Sequence, residues 1–183
     1  MVRFGGILVQ NRIIVPDIED SRSIFSKGYY GKPLGIPKPK DSSFESPLIL
    51  DVIEGYYLVH TKILDVYHVS GKKISLVEMK NVCRKQYVEF DRKYQVFKNL
   101  RNIGYVVSPG IKFGCDFAVY ERGPGIDHAP YLVQVVKPSD NLTSTGIVLA
   151  GRLATTVKKQ FILAIPFSGS KKIEFIGFDW WKA

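Results

Sequence analysis

Apolar positions along the chain fall into short β-rich runs separated by polar breaks, with a few stretches of helical spacing between them. Ile7-Leu8-Val9 and Ile13-Ile14-Val15 flank Gln10-Asn11-Arg12 and predict a hairpin. Asp17 to Lys27 sets Ile18, Ile24 and Phe25 among polar residues and predicts a short helix before Gly28-Tyr29-Tyr30-Gly31. Pro33, Pro37, Pro39 and Pro47 exclude helix and central strand from Lys32 to Pro47, leaving a long loop that also carries Lys32, Lys38 and Lys40. Leu48 to Leu58, apolar on more than one side after Pro47, predicts a packed helix. Val66 to Val69 and Lys73 to Val77 around Ser70-Gly71-Lys72 predict a second hairpin, and a domain boundary is expected near Met79 to Lys85.

In the second half, Phe90, Tyr94, Phe97 and Leu100 recur at helical spacing within Tyr87 to Ile103, and Gly104 stands where a terminator belongs. Short strands follow at Tyr105 to Val107 and Phe113 to Tyr120, divided by Pro109-Gly110. The loop Glu121 to Pro130 leads into a strand at Tyr131 to Val136. Thr143, Ser144 or Thr145 is placed to cap a helix running to about Lys158. Strands Phe161 to Phe167 and Lys172 to Phe178, joined by Ser168-Gly169-Ser170-Lys171, complete the pattern. This is a two-domain α/β chain, divided into residues 1–85 and 86–183, without internal repeat or low-complexity segment.

Composition narrows the partner. The formal net charge is +9, with 13 basic against 9 acidic residues up to Lys85 and 13 against 8 beyond it. Both halves share the excess rather than carrying it in a tail, which favours a polyanionic partner; the alternative is a charge that serves solubility alone. Cys83 and Cys115 stand too far apart in sequence for a zinc motif and are too few for a disulfide framework, which points to a reducing compartment. No apolar run reaches the roughly 20 residues that span a bilayer, and the N-terminal run is too short for a secretory signal. A cytoplasmic protein is expected.

Candidate chemistry concentrates between Phe113 and Lys159. Phe113-Gly114-Cys115-Asp116-Phe117-Ala118-Val119-Tyr120 ends a strand on a phenol. Asp127-His128-Ala129-Pro130-Tyr131-Leu132-Val133 brings an imidazole out of a Gly/Pro loop. Arg152-Leu153-Ala154-Thr155-Thr156-Val157-Lys158-Lys159 ends on amines before the apolar run from Phe161. Taken singly, a strand-end tyrosine packs, a loop histidine is solvated and a helix-end lysine faces the last carbonyls. Together they supply acid-base groups without a metal, and the chain has no His-Glu-x-x-His, no Cys-x-x-Cys and no acidic cluster near His128.

These three segments resemble the archaeal tRNA-intron endonucleases, which excise introns from precursor tRNA. The family pattern is a Gly-x-Asp-Phe strand ending in tyrosine, a histidine before an apolar Tyr-Leu-Val strand, and an Arg-x-Ala helix ending in lysine. The resemblance implies a C-terminal catalytic domain built on a mixed sheet flanked by helices. It also implies catalytic roles for Tyr120, His128 and Lys159, the last chosen over Lys158 for its distance from the Gln160-Phe161-Ile162-Leu163-Ala164-Ile165 strand. In the family's mechanism the tyrosine acts on the 2'-hydroxyl, the histidine protonates the departing 5'-oxygen and the lysine stabilises negative charge. The implied products are a 2',3'-cyclic phosphate and a 5'-hydroxyl, with no cofactor. A reference pKa near 6.5 suits the histidine to acid catalysis; the phenol, near 10, either needs Lys159 beside it to ionise or only orients the hydroxyl.

The resemblance further implies that Arg152 helps sandwich an unpaired bulge base, with Trp180 or Trp181 completing the sandwich. Arg152 precedes Lys159 by seven residues, which puts the two on one face if the helix continues between them. Lys32, Lys38 and Lys40 are candidates to grip phosphates from the proline-rich loop, the alternative being a solvated loop. Relatives often carry an acidic loop between the last two strands that plugs into a neighbouring subunit, whereas Ser168-Gly169-Ser170-Lys171-Lys172 is basic. The expected assembly is therefore a heterotetramer with a homologous non-catalytic subunit. The alternative is that this chain is itself the silent RNA-binding subunit; a more distant rival is a metal-dependent nuclease on a similar sheet.

Overall fold

The computed structural model describes residues 3–37, 39, 41–124, 126, 129–156 and 159–178. The chain divides into two compact units, Met1–Phe90 and Asp91–Ala183. Each is a mixed five-stranded sheet with helices, an α+β arrangement. Among the described residues no helix is long and apolar enough to cross a membrane.

The first unit begins with the expected hairpin. β1 (Phe4–Val9) and β2 (Arg12–Val15) pair antiparallel, with Ile7 opposite Ile14. α1 (Ile18–Ser26) starts where the Asp17 carboxylate accepts the Asp20 N–H at 2.8 Å, and it buries Ile24 and Phe25. Within the proline-rich loop, Lys32–Pro33 forms a minimal edge strand, β3, a position that tolerates the missing proline N–H.

Two expectations fail here. Leu48 to Leu58 is not one helix: β4 (Leu48–Asp51) pairs with β2, and only then does α2 (Val52–His60) begin. Asp51 and Glu54 form a capping box that fixes this transition, and a run apolar on every side hides it from periodicity. The second hairpin is cut short, though His68 N–H still donates to the Lys72 carbonyl and Ile74 N–H to the Val66 carbonyl, both at 2.8 Å. β5 (Leu64–His68) pairs parallel with β1, and the return strand is reduced to a single bridge between Tyr67 and Lys73. Ser75 then caps α3 (Leu76–Gln86), which buries Met79 and Cys83. The stretch from Met79 to Lys85, where a boundary is expected, is thus helical. The sheet order is β3-β4-β2-β1-β5.

The second unit follows the expected sequence of elements more closely. α4 (Phe90–Asn102) ends before Gly104, whose φ is +102°. β6 (Val106–Pro109), β7 (Phe117–Tyr120) and β8 (Tyr131–Val135) form an antiparallel meander. α5 (Ser144–Thr156) is capped by Thr143, whose hydroxyl accepts the Gly146 N–H at 3.1 Å. The helix then carries the chain across to β9 (Gln160–Pro166), parallel to β8, and β10 (Ile173–Phe178) folds back on β9. Phe97 of α4 lies 5.8 Å from Phe117 on one face of the sheet. On the other, Ala118, Leu132, Phe161 and Leu163 form a core against which Ala150 of α5 packs. The expected strand from Phe113 is shorter than read: Ile111–Phe113 is a 3-10 turn, Gly114 adopts a left-handed φ of +68°, and the strand starts at Phe117.

Both cysteines are free and buried. The Cys83 thiol donates to the Val52 carbonyl at 3.3 Å and the Cys115 thiol to the Phe117 carbonyl at 3.3 Å. Burial pushes the Cys115 thiol up to about 11 and raises Cys83 as well, so neither is a thiolate at neutral pH. Native protein is expected to resist a chromogenic disulfide reagent for many minutes, while both thiols react at once in guanidinium. Fast labelling of native Cys115 would contradict the buried turn described below.

Candidate active site

Strand register brings two of the three catalytic candidates to one end of the second sheet. Val119 of β7 pairs with Tyr131 of β8, and Tyr131 with Gln160 of β9. Tyr120 is the next residue on β7, and Lys159 precedes Gln160, so both occupy the row beyond, on either side of Pro130. Gln160 N–H donates to the Pro130 carbonyl at 2.8 Å and keeps that row in step. Two strand spacings separate their backbones, about 10 Å, within the reach of a phenol and a lysine side chain. The alternation of faces puts both on the side of Ala118, Leu132 and Phe161, and Tyr120 packs against that cluster.

Lys159 is half-buried and its ammonium donates to the Ala129 carbonyl. The same ammonium lies 5.5 Å from the centroid of the Phe113 ring, and the exposed Lys112 ammonium lies 4.8 Å from it. His128 lies outside the described residues, as do Trp180, Trp181, Lys38 and Lys40. Arg152 is described and exposed, on α5. The helical relation drawn between Arg152 and Lys159 is corrected: α5 is described only to Thr156, and Lys159 stands in the approach to β9. Register in the sheet, rather than a helix face, fixes the lysine.

The segment from Gly110 to Asp116 positions much of this end. Gly110 N–H donates to the Asp116 carbonyl at 2.9 Å, and the Gly110 carbonyl accepts from Phe113 N–H at 2.8 Å. A Cβ at Gly110 would stand 2.8 Å from the Phe117 carbonyl carbon, so no larger residue fits the turn without backbone movement. Asp116 is itself anchored: one carboxylate oxygen meets the Lys93 ammonium of α4 at 2.6 Å, and the other accepts Val135 N–H at 2.8 Å. Phe113 and Asp116 belong to the Phe113–Tyr120 motif, which by itself gives neither a task. The only cue was the Phe-Gly pair, a turn signal inside what reads as a strand.

Tyr131 donates its hydroxyl to Glu121 at 2.9 Å, and this bond to a carboxylate, with some burial, raises the phenol above its ordinary value. A cavity of about 430 Å³ between α5 and the sheet is lined largely by apolar side chains, among them Phe113, Leu132, Ile147, Ala150 and Phe161. Its lining does not suit a phosphate backbone. Among the described residues, no group of three or more His, Cys, Asp or Glu is placed to hold a metal ion.

This domain pair has known counterparts. Residues 5–80 match the model of the tRNA intron endonuclease N-terminal domain, and residues 90–175 that of the catalytic C-terminal domain. A tRNA-splicing endonuclease of Hyperthermus butylicus is 43% identical over 176 residues, covering 96% of this chain and 97% of that protein. The chain belongs to the tRNA intron endonuclease family. Proteins of the same name from Sulfurisphaera tokodaii (42% identical, 97% of this chain and 98% of that protein) and Pyrobaculum arsenaticum (38%, 96% and 97%) are similar over almost their whole length. For a tRNA intron endonuclease, the end of the second sheet where Tyr120 and Lys159 share a row is the candidate active site.

Proposed function

We propose that this chain is the catalytic subunit of a tRNA-splicing endonuclease that removes introns from precursor tRNA at bulge-helix-bulge junctions, leaving 2',3'-cyclic phosphate and 5'-hydroxyl ends. Membership of the tRNA intron endonuclease family supports the substrate class. The observation that carries the catalytic reading is the common row of Tyr120 and Lys159 on one sheet face, with the Lys159 ammonium on the carbonyl of Ala129, the residue after His128. In this reading residues 1–85 form an N-terminal domain and residues 86–183 the nuclease.

The chemistry follows from RNA's own structure. The 2'-hydroxyl beside the scissile phosphate is the nucleophile, so the protein need supply only a group that takes or orients its proton, one that protonates the leaving 5'-oxygen, and positive charge for the crowded phosphorane. Tyr120 serves the 2'-hydroxyl, His128 the leaving oxygen and Lys159 the charge. None of these steps requires a metal or cofactor. Arg152, with Trp180 or Trp181, would sandwich an unpaired bulge base, and Lys38 and Lys40 would hold phosphates.

The assembly we infer is a heterotetramer with a homologous, non-catalytic subunit, acting in the cytoplasm. Its support is the hairpin between β9 and β10, which is basic. Lys172 pairs with Glu174 at 2.7 Å, and α4 ties the hairpin down through Arg92 to Ser168 at 2.7 Å and Gln95 to the Ser170 carbonyl at 3.0 Å. A silent RNA-binding subunit is the second reading; it would have no use for the ordered Tyr120–Lys159 row.

The test is cleavage of an end-labelled bulge-helix-bulge RNA in excess chelator, by this chain alone and with a homologous partner subunit. The expected outcome is cleavage to cyclic-phosphate ends at a rate that chelator leaves unchanged, with the partner required. Loss of cleavage in chelator would replace this chemistry with metal-dependent hydrolysis. No cleavage under any native condition, with the RNA still bound, would assign it the silent role.

A further inference from the structure

Lys159 is a long side chain at the mouth of a strand, and a lysine in that position would ordinarily sample many rotamers or follow the nearest phosphate. Here two separate segments meet its ammonium: the Ala129 carbonyl before β8, and the face of Phe113 at 5.5 Å. A cation within about 6 Å of a ring centroid is attracted by the ring's negative face. The ring is fixed in turn. It packs on the cluster of Cys115, Ala118 and Leu132, and the turn that presents it is closed by Gly110 and Gly114. Asp116 ties that turn to α4 and to β8, through Lys93 and the Val135 N–H.

We propose that Phe113 is a positioning residue for Lys159, holding its ammonium over the reaction centre so that charge stabilisation is in place before the phosphorane forms. The inference rests on the reading of Lys159 as the charge-stabilising group. Preorganised charge contributes in the transition state because nothing has to be ordered at the moment of reaction. Phe113 itself touches no reacting atom, so removing its ring should lower kcat and leave KM nearly unchanged. The adjacent Lys112 ammonium, 4.8 Å from the same centroid and exposed, shares the ring without being fixed by the sheet.

The test is a double-mutant cycle in the assembled enzyme, cleaving a bulge-helix-bulge RNA. Phe113→Leu keeps an apolar, smaller side chain but removes the ring, and is expected to lower kcat roughly 3- to 30-fold, the range of a partly buried cation–ring contact. Phe113→Tyr keeps the ring and is expected to restore most of the rate. In a Lys159→Ala background, Phe113→Leu is expected to cause no further loss. Proton NMR supplies a reading independent of activity: the Lys159 methylene next to the ammonium should show a ring-current shift in the wild type and in Phe113→Tyr, and lose it in Phe113→Leu. An equal loss from Phe113→Leu in both backgrounds would overturn the positioning role alone, as would an unchanged rate in the wild-type background or a Tyr variant as slow as the Leu one. Unchanged cleavage by Lys159→Ala would overturn the role of Lys159 itself, and Phe113's with it. Should the Leu variant unfold, the methylene shift in the wild type still decides: no shift, no ring contact.

Discussion

His128→Ala will slow cleavage of a bulge-helix-bulge RNA by roughly 10²- to 10⁴-fold, the usual worth of a positioned general acid. The leaving 5'-oxygen is an alkoxide unless a proton reaches it, and alanine supplies none. Lys159→Ala will slow it by roughly 10²- to 10³-fold, as loss of one preorganised charge at a developing anion does. Tyr120→Phe keeps the ring on the Ala118–Leu132–Phe161 core and removes only the hydroxyl, so its effect isolates the chemistry from the packing. Single-turnover rates with enzyme in excess are the proper measure, because they exclude product release. Substrate binding, measured separately, should change little in all three variants. The double variant His128→Ala/Lys159→Ala should lose less than the product of the single losses, since groups acting on one transition state are not additive. A His128→Ala enzyme that cleaves as fast as the wild type would remove the imidazole from the mechanism, and a Tyr120→Phe enzyme with full activity would do the same for the phenol.

How much of this was legible in the chain depends on what each feature is made of. The meander from Val106 to Val135, the α4 helix and the final β9–β10 hairpin came out of periodicity and turn residues because their signals are local. Leu48-Ile49-Leu50-Asp51 did not: three apolar residues before Asp51, continued by Val52-Ile53, read equally as strand or helix, and only pairing with β2 decides. Lys73 to Val77 read as a strand by composition, but the Ser75 cap and the burial of Met79 and Cys83 favour a helix. Tyr120 and Lys159 are singled out by motif alone, and what sets them in one row is sheet register, which no spacing along the chain reveals. Arg152 was joined to Lys159 by helical spacing, and the chain leaves the helix before the lysine. The Phe113 contact carries no local signal: the ammonium its ring meets is 46 residues away in sequence, at Lys159, and the two come together only once β9 lies beside β8.

Asp51→Ala will destabilise the first unit by about 2–3 kcal/mol, the sum of a lost helix cap and a lost hydrogen-bond acceptor. Asp51 is 7% exposed and meets several demands at once. One carboxylate oxygen accepts the Tyr87 hydroxyl at 2.7 Å and the Ile53 N–H at 3.1 Å, while the other pairs with Arg12. Glu54 completes the capping box by accepting Asp51 N–H at 2.9 Å, and it also accepts Gly31 N–H at 3.1 Å. Arg12 is 44% exposed, so water replaces much of what it loses, and its share of the total is small. Tyr87 is half-buried, so water replaces less of what it loses. Burial first, and the Asp51 carboxylate second, push its phenol well above its ordinary value, so it stays a donor at physiological pH and would be left without this acceptor. Tyr87→Phe alone should cost about 1–2 kcal/mol, and the double variant less than the sum, because the stranded hydroxyl goes with its partner. Asp51→Asn, which keeps a capping oxygen but not the charge, should fall between the wild type and Asp51→Ala. Guanidinium unfolding followed by circular dichroism gives the free energies, and a Tm lower by roughly 10 °C is the thermal counterpart for Asp51→Ala. A loss below about 1 kcal/mol would mean that the turn from β4 into α2 is held by apolar packing, with the carboxylate contributing no more than an ordinary cap.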